Sequence, residues 1–67
     1  MEEILELEAR LLEEAVHKKQ KVRLFLLNGY TTEAVIEDFD CNVIVATVNN
    51  RRWMVYRQGI STIELAR

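Results

Sequence analysis

Apolar residues recur at helical spacing in the first part of the chain. Ile4, Leu7, Leu11 and Ala15 form one stripe, flanked by Leu5, Leu12 and Val16. This pattern predicts one amphipathic helix over about residues 2–19. Glu2 and Glu3 suit the positive end of its dipole, and His17, Lys18 and Lys19 the negative end. Glu6 with Arg10, and Glu14 with Lys18, have the i,i+4 spacing of favourable pairs. From Val22 the period falls to two: Val22, Leu24 and Leu26 alternate with Arg23, Phe25 and Leu27. Asn28-Gly29 then predicts a type I′ hairpin, and the return strand runs from Tyr30 to about Asp38. Phe39-Asp40 reads as a corner, where the aspartate bonds its own backbone. The apolar, β-branched run Asn42 to Val48 reads as an interior strand. Asn49-Asn50 is a second turn, Arg51 to Arg57 a fourth strand, and Ile60 to Leu65 a short fifth after a break at Gln58-Gly59. The expected fold is mainly β with one N-terminal helix. It is a strongly bent five-stranded antiparallel sheet, or small open barrel, forming one domain over residues 1–67.

Composition narrows this reading. The chain has 67 residues, 49% hydrophobic and 30% charged, with no proline and two glycines, which is globular rather than disordered. No apolar run is long enough for a membrane span, and six carboxylates among residues 1–20 argue against a leader peptide. Cys41 is the one cysteine and His17 the one histidine, so no internal disulfide, metal cluster or cofactor is expected. The expected compartment is the cytoplasm. A core this small, without disulfides or metal, points to oligomerisation, and an exposed sheet edge gives it a route. The net charge is −2, yet His17 to Arg23 carries no carboxylate, and Arg51, Arg52 and Arg57 form a second basic group. Such local grouping permits nucleic-acid binding without advertising it.

Three segments then resemble a known family. Val22 to Tyr30, Val35 to Asp40 and Met54 to Thr62 are similar, in order and spacing, to the opening hairpin, the bend and the closing signature of the Hfq family. These bacterial RNA chaperones belong to the Sm-like (LSm) proteins. The resemblance spans roughly residues 5–64. It implies a homo-oligomeric ring, hexameric in that family, in which the fourth strand of one subunit pairs with the fifth of the next. It also implies single-stranded RNA as partner, A-rich and U-rich, and a role in pairing small RNAs with mRNAs in post-transcriptional regulation.

By the same resemblance, three surfaces carry RNA. On the distal face, adenines would stack near Phe25 and Tyr30, with Gly29 permitting close approach and Thr32, Arg52 and Thr62 adding polar groups. Thr31 stands there where a lysine is common. On the proximal, helix-bearing face, Tyr56 and the charge at Arg57 match the family. Asn42 replaces the stacking aromatic, Cys41 the preceding glutamine, Gln58 the signature histidine, and Glu8 a helix glutamine. Weak or unselective uridine binding follows, since base–aromatic stacking is worth about 1–3 kcal/mol. On the rim, His17, Lys18, Lys19 and Lys21 supply basic side chains.

Plainer readings stand beside these. Phe25 fits a second small core or a subunit contact, and Tyr30 a cross-strand aromatic partner. The 17–23 stretch fits a solvated helix end. Trp53 fits a buried strand or subunit contact, and Cys41 a small corner residue rather than a nucleophile. No serine–histidine–acid spacing or phosphate loop points to an enzyme. The alternative to an RNA chaperone is an Sm-like structural or protein-interaction ring whose RNA affinity has weakened.

Overall fold

The computed structural model of the chain describes residues 6–65. The elements are α1 (Glu6–Lys18), β1 (Lys21–Leu26), β2 (Thr31–Phe39), β3 (Val43–Val48), β4 (Arg51–Tyr56), a 3-10 turn (Arg57–Gly59) and β5 (Ile60–Glu64). The fold class is the one read from the pattern, with element ends shifted by a residue or so; the expected helical residues 2–5 lie outside the described residues. α1 stops because Lys19 adopts a left-handed φ of 52°. Gln20 then donates its N–H to the Ala15 carbonyl (3.3 Å) and Lys19 to that of Val16 (3.2 Å), which satisfies the last turn.

All strands are antiparallel, in the order β4-β3-β2-β1-β5. The core is the inward phase of β1, β2 and β3 (Val22, Leu24, Ala34, Ile36, Ile44, Ala46 and Val48), covered by Leu12 and Ala15 of α1. The apolar helix stripe is only half used: Leu7 is 59% and Leu11 37% exposed, because α1 meets the sheet mainly over β2, with Leu12 and Ala15 turned inward.

The turns differ from expectation in an instructive way. Asn28-Gly29 is not a two-residue type I′ turn. Gly29 alone has positive φ (91°). Gly29 donates to the Leu26 carbonyl (3.0 Å) and Leu26 to that of Tyr30 (2.8 Å), so the loop has three residues and glycine supplies its left-handed position. The Asn28 carboxamide oxygen accepts from the Tyr30 N–H at 2.9 Å, which leaves Asn28 no need for positive φ. The two-residue turn with both φ positive is Asn49-Asn50 (52° and 65°), joining the paired Val48 and Arg51. At the β2–β3 corner, the Asp40 carboxylate accepts from the N–H groups of Asn42 (2.7 Å) and Val43 (2.9 Å), as the sequence predicted.

The sheet is strongly curled. Trp53 lies level with Ala46, and Ala46 with Ile36. A flat sheet would therefore put Trp53 about 20 Å along β2 from Tyr30, at ~3.3 Å per residue. Their rings instead stack, with centroids 6.0 Å apart and an interplanar angle of 29°. A register shift between Ile36 and Asp38 contributes to this bend. The curl brings the residue before β2 against β4, and among the described residues β4 and β5 remain the edges of the sheet.

Candidate nucleic-acid interface

On β1 the inward residues Val22 and Leu24 alternate with Lys21, Arg23 and Phe25, which face outward. Register then builds two rungs across β5, β1 and β2. Phe25 lies between Thr62 and Thr31, and Arg23 between Glu64 and Glu33. The first rung is a half-buried aromatic ring flanked by two exposed threonines. The second is a charge ladder, in which Arg23 approaches Glu33 at 3.7 Å and Glu64 at 3.9 Å while Lys21 reaches Glu33 at 3.9 Å. Two bases and two acids leave this patch near neutrality.

Other residues expected on that surface are placed differently. Thr32 pairs with Leu24, in the inward phase, so it does not join Phe25. Arg52 is exposed and pairs with Thr47, on the far edge of the sheet from β1 within one chain. Tyr30 is half exposed and stacks on Trp53. Trp53 packs against the core, in line with its plainer reading. An added Cβ at Gly29 would meet open space. Its φ, not a close approach within this chain, is what requires glycine there.

On the helix side the structure does assemble a group. The Arg57 guanidinium pairs with the Glu8 carboxylate and donates to the Asp40 carbonyl at 2.7 Å. The Arg57 backbone N–H donates to the Asn42 carbonyl at 2.9 Å. The Arg57 side chain is only 16% exposed. Asn42 and Gln58 are exposed and Cys41 is half-buried in the corner. Tyr56 is 62% exposed on β4, next to Met54 in the same phase at 59%. Beside Glu8 and Arg57 opens a cleft of about 260 Å³, whose apolar lining includes Leu11, Leu12, Ile44, Ile60 and Ile63.

The rim is mixed in charge. Lys18 is bound to Glu14 at 2.8 Å, which holds the Glu14 carboxyl below its ordinary value through that hydrogen bond and the lysine's charge. Lys19 is exposed at the helix end. His17 borders an open groove with Arg10, Glu13, Glu14, Asp38 and Phe39. Sequence reasoning missed the Glu33–Arg23–Glu64 ladder and the Asp40 carbonyl as a partner of Arg57. The first was within reach, since Arg23 shares the phase of Phe25. The second depends on how the corner folds back.

Comparison with known proteins decides the family. The model of the Hfq family, described as "Hfq protein", matches residues 7–67. The chain belongs to the Hfq family. A protein named RNA-binding protein Hfq from Pseudothermotoga lettingae is 33% identical over 63 residues, covering 94% of this chain and 69% of its own. One of the same name from Natranaerobius thermophilus is 32% identical, covering 88% of this chain and 70% of its own. One from Caldicellulosiruptor bescii reaches 37%, covering 88% and 65%. Among solved structures, a crystal structure of "the pleiotropic translational regulator, Hfq" superposes with a TM-score of 0.85 at 27% identity, covering 88% of this chain and 98% of that one. The sheet described above is thus the Sm-like fold of Hfq.

Proposed function

We propose that this Hfq-family chain is a one-domain subunit of a homo-oligomeric ring. The ring binds A-rich single-stranded RNA on the Phe25 face and brings small RNAs and mRNAs together in the cytoplasm. The observation that carries the reading is the Thr62–Phe25–Thr31 rung, an aromatic ring held outward between hydroxyl groups on a sheet whose two edges are open. Stacking accepts any base, so hydroxyls and backbone groups beside the ring supply what preference there is. Pairing of β4 with a neighbour's β5 would remove both edges at once, and repetition around a ring raises avidity by effective concentration. Because Lys21 and Arg23 are matched by Glu33 and Glu64, phosphate attraction contributes little on this face. Native mass measurement at micromolar concentration, followed by oligo-A titration over a salt series, tests this. The expected result is a hexamer whose oligo-A affinity falls only shallowly with salt. A well-folded monomer, or a ring indifferent to oligo-A, would overturn it.

A second reading has its own support. The ion pairs Lys18–Glu14 on the rim, Arg23–Glu33 beside Phe25 and Arg57–Glu8 on the helix side engage bases on all three surfaces. That pattern favours a protein-interaction ring with weakened RNA affinity. Indifference of the intact ring to oligo-A would select it.

A further inference from the structure

We infer that Glu8 is a specificity-determining residue that closes the helix side of this protein to RNA by occupying Arg57. The inference rests on the RNA-binding reading above. Arg57 is the basic group at the mouth of the cleft between α1 and β5, and the same cleft has an apolar lining able to hold a planar base. A guanidinium in that position is suited to a phosphate or carbonyl oxygen of a nucleotide. Its donors, however, are already directed at the Glu8 carboxylate and the Asp40 carbonyl. With the Arg57 side chain 16% exposed, this pair is screened less than a surface pair. An incoming polyanion would have to displace the Glu8 carboxylate from the guanidinium and come close to that negative charge as it did so.

Geometry favours Glu8 as the controlling group rather than Asp40. Asp40 offers Arg57 its backbone carbonyl, while its carboxylate is used on the N–H groups of Asn42 and Val43. Glu8 projects from the first turns of α1 and is itself 45% exposed at its side chain. Its carboxylate can therefore be neutralised without removing a core contact. Arg57, by contrast, is anchored at both backbone and guanidinium.

The test uses the intact ring with oligo-U as the probe of the helix side and oligo-A as the probe of the Phe25 face. Glu8→Gln should raise oligo-U affinity at least tenfold and leave oligo-A affinity unchanged. The slope of log affinity against log salt should steepen by about 0.7 for each subunit site engaged. Arg57→Met alone keeps the apolar stem but removes the base and leaves Glu8 uncompensated, so it should bind oligo-U no better than the parent. Combined with Glu8→Gln, it should abolish the gain. An assembled Glu8→Gln ring that binds oligo-U like the parent would overturn the inference, as would a Glu8→Gln, Arg57→Met double variant that keeps the full gain. Failure of the parent to bind oligo-A would instead count against the RNA-binding reading, and a gain in Glu8→Gln would still be visible in that case.

Discussion

Asp40 illustrates how one side chain fixes a corner. Its carboxyl is held below the ordinary 3.8 by the N–H of Val43 first and that of Asn42 second. Glu14 is likewise lowered from 4.5 by Lys18. A carboxyl with a depressed folded pKa binds protons less readily than it does in the unfolded chain. It therefore contributes stability above its unfolded value and loses that contribution as pH falls through the folded one. The contribution of these two carboxyls should be fully present at neutral pH and be lost as pH falls below their ordinary values of 4.5 and 3.8. Asp40→Ala should be less stable at pH 7 and show a shallower acid decline, read by denaturant midpoints across pH. An unchanged acid limb in Asp40→Ala would show that the corner's hydrogen bonds carry no linkage. The same residue scale explains what the sequence concealed at Arg57. Charge and motif position were legible, but its two partners come from α1 and from a corner in another part of the chain.

At the scale of elements, period carries furthest. The change from a helical period to a period of two, and the alternation within β1 and β2, appear in the structure as inward and outward phases. Phe25 faces outward because it is odd in a strand whose even residues, Val22 and Leu24, are core. What period cannot give is turn geometry. Asn28-Gly29 and Asn49-Asn50 both look like hairpin turns, yet only the second has two left-handed residues, since the Asn28 side chain serves Tyr30 instead. Nor does period give curl: Tyr30 was legible as a cross-strand aromatic partner and Trp53 as a buried contact, but not that the two rings meet. The turn assignment predicts a contrast at Asn50, whose φ is 65°. Asn50→Gly should be neutral or slightly stabilising, while Asn50→Val should cost about 1–2 kcal/mol because a β-branched residue is strained there. Equal stability of the two variants in urea unfolding would contradict a left-handed Asn50.

For the whole molecule, the open edges and the two faces belong to one account. β4 exposes Met54 and Tyr56 at one edge, and β5 ends the sheet at the other. In a closed ring these edges meet, the Phe25 rungs repeat on one surface, and the Glu8–Arg57 pairs repeat on the helix side. On the proposed reading, stacking would direct RNA to one surface and the Glu8 carboxylate would keep it from the other. The measurement that tests this most directly is oligo-A titration of Phe25→Ala against the parent, with native mass recorded on the same preparation. The account predicts an unchanged ring mass and an oligo-A affinity at least about tenfold weaker, the scale of one lost base–aromatic stack. An assembled Phe25→Ala ring that binds oligo-A as tightly as the parent would contradict it.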